Sequence, residues 1–131
     1  MKISENCREM LLRAESKALA TYSTETGVHV VPVSSIMVEE DKIILVNYFF
    51  GATLRNINYD PKVALSAWVG LKGYQIKATV VEEKAGERYE RVVKWIGETI
   101  PGRLVKSILV LSPARIFDVS AGPEAGKEVF E

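Results

Sequence analysis

The chain has 131 residues, 47% of them hydrophobic, and its 17 basic side chains (Lys plus Arg) are matched by 17 acidic ones. That length predicts a single domain, residues 1–131, able to hide roughly two-thirds of its unfolded surface, and the zero net charge argues against nucleic acid or anionic lipid as the main partner. One cysteine rules out an internal disulfide, and Cys7 with the single His29 falls short of a four-ligand zinc site.

The opening MKISENCREM lacks the apolar core of a signal peptide and no segment approaches a membrane span, so a soluble, cytoplasmic protein with no membrane partner is expected. Ile3, Cys7, Met10, Leu11 and Ala14 recur at helical spacing behind Ser4, a good N-cap, and predict a short amphipathic helix. KALATYS (17–23) reads as a strand, TETG (24–27) as a turn, and VHVVPVSSIMVEE (28–40) as a long β-branched stretch, so 17–40 predict a hairpin. Pro32 donates no ladder bond and marks an edge, a bulge or the point where the strand leaves its neighbour. After a turn at Asp41-Lys42, IILV (43–46) is apolar on both sides, as in a strand covered on both faces or lining a barrel.

Thr53 to Asp60 predict two helical turns with Leu54 and Ile57 inward, stopped at Asp60-Pro61 because the residue before proline avoids helical backbone. Val63, Leu65, Ala67 and Val69 alternate with Ala64, Ser66 and Trp68, and GLKG (70–73) turns this strand into YQIKATVVEE (74–83), a second hairpin. Tyr89, Val92, Val93 and Ile96 predict a surface helix from about 86 to 98. KSILVLSPARIFDVS (106–120) predicts a long strand bent at Ser112-Pro113, and AGPEAGKEVFE a polar loop. Six or seven strands joined mostly by hairpins, with three peripheral helices, make a mainly β protein, a six- to seven-stranded antiparallel barrel whose closure removes unpaired edges.

No side chain announces itself as a catalytic acid, base or nucleophile. His29 shares a strand face with Val31 and Val33 and has no nucleophile motif near it, which favours a plain strand-end histidine over a hydrolase triad. Cys7 lies on the apolar helix face, where a thiol acts as a small hydrophobe. Glu39-Glu40-Asp41 and Glu82-Glu83 flank turns, where carboxylates are usually solvated. GATLRN (51–56) fits neither a dinucleotide fingerprint nor a nucleotide phosphate loop. Even so, Gly51 followed by Thr53 at a helix start offers free N–H groups and a hydroxyl to a phosphate, against the plainer reading of Thr53 as an N-cap. Ser34, Ser35 and Gln75 interrupt apolar strands and either face water or hydrogen-bond a polar ligand.

Together these segments resemble the FMN-binding split-barrel proteins related to pyridoxamine 5'-phosphate oxidase, in particular the small single-domain flavoproteins of that group. The resemblance rests on ALATYSTETGVHVVPVSS, IILVNYFFGATLRNINYDPKVALSAW, GYQIKATVV and ARIFDVSAGPEAGK, and most of all on the spacing of Gly51, Thr53, Asn56, Asp60-Pro61 and Val63. The corresponding corner in the family commonly reads Gly-Lys-Thr-x-x-Asn and binds the FMN phosphate; Thr53 and Asn56 match, and Ala52 stands where the lysine would be. The resemblance implies that Val33, Ser34 and Ser35 run along the ribityl chain and ring edge, that Asn47, Tyr48 and Phe49 pass the isoalloxazine, and that Gln75 lies near the flavin.

It further implies an FMN-binding flavoprotein, an oxidoreductase or electron-transfer protein, built as a homodimer with two flavins at the interface, to which Trp68 and Trp95 would contribute. The substitute for the missing lysine is Arg55, Arg103, Lys106 or a group from the second subunit. A flavin reductase, a quinone or small-molecule reductase and an electron carrier all fit. Oxidation of pyridoxamine phosphate fits less well, since Lys127 is the only base after Arg115 to receive a second phosphate. The competing expectations are a split barrel that binds a deazaflavin or haem, signalled by Ala52, and a dimeric binding module without redox function.

Overall fold

A computed structural model describes residues 1–130. It opens with α1 (Glu5–Arg13), where Ser4 Oγ accepts the Cys7 N–H at 3.2 Å and so caps the helix. The chain continues through β1 (Ser16–Ser23), β2 (Gly27–Pro32), β3 (Ile36–Glu39), β4 (Lys42–Asn47) and α2 (Ala52–Tyr59). It ends with β5 (Lys62–Val69), β6 (Lys72–Glu83), α3 (Glu87–Thr99), β7 (Ser107–Asp118) and the two-residue β8 (Glu128–Val129).

All strand pairs are antiparallel, in the order β2-β1-β5-β6-β7-β4-β3, with β8 added to β7. This is the expected mainly β architecture, with two differences in detail. Residues 28–40 form two strands, because the chain leaves β1 after Pro32. The last bond to that neighbour is Val33 N–H to Lys17 O at 3.0 Å, and two residues later Ser35 O accepts the Val46 N–H at 3.3 Å. Residues 33–35 thus carry the chain from one end of the sheet to the other. The sheet curls into a barrel-like form, but β2 and β3 remain its unpaired edges, so the barrel is split rather than closed.

The second difference is β8: the tail expected to be loop returns to β7, with Arg115 and Glu128 joined by a forked ion pair at 2.7 and 3.1 Å. The bend expected at Ser112-Pro113 is a local register shift within a continuous β7. Lys77 faces Arg115 but Ala78 faces Pro113, leaving Ala114 as an extra residue in a bulge where proline's missing donor does no harm. The β5–β6 hairpin needs Gly73 for close approach, since a Cβ there would lie 2.6 Å from Ala67 O.

Alternation along the strands builds two cores. Leu19, Leu65, Ile76, Ile116, Leu45 and Leu109 point into the barrel, which α1 covers with Cys7, Met10 and Leu11. On the other face of β4 and β7, Ile44, Val46, Ile108 and Val110 meet Val92 and Ile96 of α3. Strand β4 is therefore covered on both faces, as its doubly apolar sequence predicted, and each of its fully buried Leu or Ile side chains stabilises the fold by about 1.5–3 kcal/mol. Its end, Asn47, is where both cores stop and the candidate site begins.

Candidate functional site

The corner between β4 and α2 is built by Asn47, which is 2% exposed. Its Nδ2 donates to Ser107 Oγ at 2.8 Å and its Oδ1 accepts the Phe50 N–H at 2.8 Å, so the amide bends the chain back toward β7. Tyr48 ties the corner to the 33–35 crossing, its hydroxyl 2.8 Å from Ser35 Oγ in a buried pair. Phe49, by contrast, is 84% exposed. A large ring left in water at a braced corner is a surface waiting for a contact.

Tyr48, Phe49 and Phe50 line a cleft of about 310 Å³ together with Pro32, Val33 and Ser34. Arg103, from the loop between α3 and β7, completes the lining, its guanidinium carbon 4.6 Å from the centre of the Tyr48 ring. Lys106 Nζ lies 5.1 Å from the centre of the Phe49 ring. Cation–ring contacts at such exposed positions contribute about 0.5–1 kcal/mol each, enough to bias where the two side chains rest. Among the described residues no carboxylate lines this cleft or the adjoining one of about 540 Å³ around Ile100 to Lys106, so both present positive charge and aromatic faces. Such a lining suits a planar anion.

Helix α2 starts next to this corner. Gly51 holds the N-cap position and no side chain caps the helix, which removes the plain reading of Thr53 as the cap. Leu54 and Arg55 N–H groups both return to Gly51 O, at 3.1 and 3.4 Å, while those of Ala52 and Thr53 have no protein partner among the described residues. A side chain at Gly51 would meet nothing within 4 Å, so the backbone here faces open space. Thr53 Oγ1 is buried, with the residue 1% exposed, and has no hydrogen-bond partner among the described residues. An orphaned hydroxyl costs about 1–3 kcal/mol unless something satisfies it.

The predicted residues thus fall into groups. Val33, Ser34, Tyr48 and Phe49 line the cleft, and Ser35 and Asn47 brace it from behind. Gly51, Ala52 and Thr53 form the open helix start, and Arg55 is exposed on the same helix. Asn56 is fully buried, with both ends of its amide bonded to the β1–β2 hairpin. Gln75 is half-buried on the outer sheet face, opposite Ser66 and Phe117, and does not line the cleft. Sequence reasoning missed Pro32 and Phe50 as lining, and Thr21 and Thr26 as partners of Asn56. Strand alternation at Thr21, which points inward with Leu19, was the available signal.

Groups elsewhere have shifted titrations without entering the cleft. Burial pushes the Cys7 thiol up to about 12 and holds the Lys17 ammonium below its ordinary range, with Lys17 Nζ donating to Ala14 O at 2.6 Å near the end of α1. Burial also raises Tyr74, with smaller contributions from Cys7 and Asp118.

Comparison with known proteins gives this arrangement a lineage. The family model for pyridoxamine 5'-phosphate oxidase matches residues 3–120. The chain belongs to the pyridoxamine 5'-phosphate oxidase family. An uncharacterized protein of Methanocaldococcus jannaschii is 30% identical over 122 residues, 88% of this chain and 80% of the relative. Among solved structures, HupZ of Group A Streptococcus superposes with a TM-score of 0.80 at 22% identity, covering 95% of this chain and 99% of that one. An FMN-binding protein from Syntrophomonas wolfei superposes with a TM-score of 0.78 at 20% identity, covering 90% and 86%. The fold is shared further with an F420 reductase and with HutZ, the haem storage protein of Vibrio cholerae, at TM-scores of 0.67 and 0.69. At these identities the structural likeness establishes the split-barrel fold.

Proposed function

We propose that this member of the pyridoxamine 5'-phosphate oxidase family is an FMN-binding redox protein. The carrying observation is Thr53, whose buried and partnerless hydroxyl stands in the first turn of α2 beside unpaired N–H groups. Helix starts of this kind hold phosphate through N–H donors and the helix dipole. The donor set fits a phosphate, and the cation lost at Ala52 is supplied by Arg103, which has no carboxylate partner among the described residues. The planar guanidinium, already against Tyr48, suits both phosphate oxygens and a ring system.

Bound FMN supplies hydride or electron transfer, and the chain supplies binding and orientation. In this reading Val33, Ser34, Tyr48 and Phe49 take the ribityl chain and the ring, and the exposed Phe49 gains its missing contact. A second copy of the chain covers the outer sheet face, where Val28 and Val30 are 79% and 61% exposed beside an apolar groove of about 490 Å³. A homodimer brings Gln75 and Trp68, which share that face, toward the flavin. The free, buried Cys7 accords with a cytoplasmic location, and no helix among the described residues is long and apolar enough to cross a membrane.

The visible spectrum of the purified protein is the test. A yellow protein that releases FMN on heating, or a colourless one that turns yellow with added FMN, is expected. Failure to take up FMN refutes the reading, and a deazaflavin or haem spectrum replaces it with one of the ligands named for its structural neighbours.

A further inference from the structure

The amide of Asn56 is fully enclosed, and both its nitrogen and its oxygen are bonded within the protein. Its Nδ2 donates to Thr21 Oγ1 at 3.0 Å, and its Oδ1 accepts from Thr26 Oγ1 at 2.5 Å. Thr26 is fixed in turn by Ser23, whose Oγ lies 2.7 Å from Thr26 Oγ1 and accepts the Thr26 N–H at 3.1 Å. Four polar side chains from β1, its turn and α2 thus form one chain of hydrogen bonds that runs from the exposed Thr26 to the buried Asn56 and Thr21. With the residue 0% exposed, both polar atoms of the Asn56 amide are used inside the protein rather than presented at its surface.

We propose that Thr26 and Thr21, acting through Asn56, are positioning residues for an anion at the start of α2. Asn56 and Thr53 lie three residues apart on the buried face of one short helix, so the direction in which Asn56 is held also sets the direction of Thr53 and of the free N–H groups beside it. Helix α2 packs mainly on β1 and has no side-chain cap of its own. Ile57 and Leu54 anchor the helix to the apolar core, and Asn56 is the residue of the helix whose side chain fixes its rotation through directional hydrogen bonds. A clamp at Asn56 holds the donors in one arrangement before the anion arrives, which lowers the ordering cost of binding. This inference rests on the FMN reading in one respect: FMN is the anion used to test it.

The test is a titration of Thr26→Val with FMN and with riboflavin, which has the same ring and ribityl chain but no phosphate. Thr26 is exposed in a hairpin turn, so the nearly isosteric change leaves the apolar core untouched. The expected result is FMN binding weakened about tenfold, as for a buried amide deprived of one partner, with riboflavin binding unchanged. Thr26→Ser restores FMN binding, and Thr21→Val repeats the loss. Equal weakening of both ligands, or of neither, overturns the positioning role while leaving the FMN reading in place. A wild-type protein that binds no FMN overturns both.

Discussion

Replacing Thr53 by valine should make the free protein more stable and the flavin complex no more stable than before. The substitution exchanges a hydroxyl for a methyl of nearly the same volume at a site 1% exposed. The hydroxyl has no partner, a cost of about 1–3 kcal/mol, and a buried methyl contributes about 0.8 kcal/mol. Valine and threonine have similar helix propensities, so the backbone term nearly cancels. Allowing for imperfect packing, the free protein gains about 1 kcal/mol, or about 4 °C in melting temperature for a chain of this size. The same hydroxyl, if it meets a phosphate, contributes a charge-assisted bond of about 1.5–3 kcal/mol, so its loss weakens FMN binding about tenfold or more.

The two effects oppose each other in the complex. With FMN at about 100 times the wild-type Kd, the ligand stabilises the wild type by about 2.7 kcal/mol, and the variant by about 1.4 kcal/mol. Adding the intrinsic gain brings the variant to about 2.4 kcal/mol above the free wild type, slightly below the wild-type complex. Melting curves with and without FMN, with flavin fluorescence titrations for the affinities, read all four states. A free variant that melts below the wild type refutes the claim that the hydroxyl is orphaned. An unchanged Kd for FMN moves the phosphate away from Thr53.

The remaining predictions concern charge. Arg103→Gln should weaken FMN binding about tenfold and reduce its sensitivity to salt, whereas Arg55→Gln should leave affinity within about twofold; titrations at two salt concentrations separate the two cations. Cys7, buried and raised to about 12, should resist a thiol reagent at about pH 8 until the chain is unfolded by denaturant. Because its folded value lies above the ordinary 9.0, the folded chain keeps the thiol proton longer than the unfolded chain does. That contribution is therefore fully present below about 9 and lost as pH rises toward about 12, and Cys7→Ala should flatten this alkaline decline in denaturant melts.

Much of the fold was legible because local patterns and burial agree. The doubly apolar IILV became a strand covered on both faces, and the alternation of Val63, Leu65 and Ala67 placed β5 in the barrel wall. Where the sequence misled, the deciding contact was distant in the chain. Pro32 marks locally a place where VHVVPVSSIMVEE can leave its neighbour, but nothing local shows that the chain then crosses to pair with β4. Nor does Glu128 announce β8; its strand forms against Arg115 and β7. At the site the aromatic corner, Ser34 and the open start of α2 were visible as residue types in order. The inward commitment of Asn56 was not, since it depends on Thr21 and Thr26, 35 and 30 residues away.

The absence of a lysine at Ala52 and the presence of Arg103 are better understood together than separately. A lysine at residue 52 would lie in the first helical turn, where the dipole already supplies partial positive charge, and would add a point charge to a phosphate alone. Arg103 reaches the cleft from a different element and touches Tyr48, so its charge acts beside the aromatic lining of the cleft. A cation carried by the α3–β7 loop makes the charge of the cleft depend on how α3 is docked. That docking is fixed by apolar contacts of Val92 and Ile96, by Tyr89 donating to Val105 O at 3.1 Å, and by Arg91 forked onto Glu39 at 2.7 Å. The helix that covers the second core therefore also places the charge of the cleft, which gives the sequence a physical reason to keep a long amphipathic helix beside a barrel that already has a core of its own.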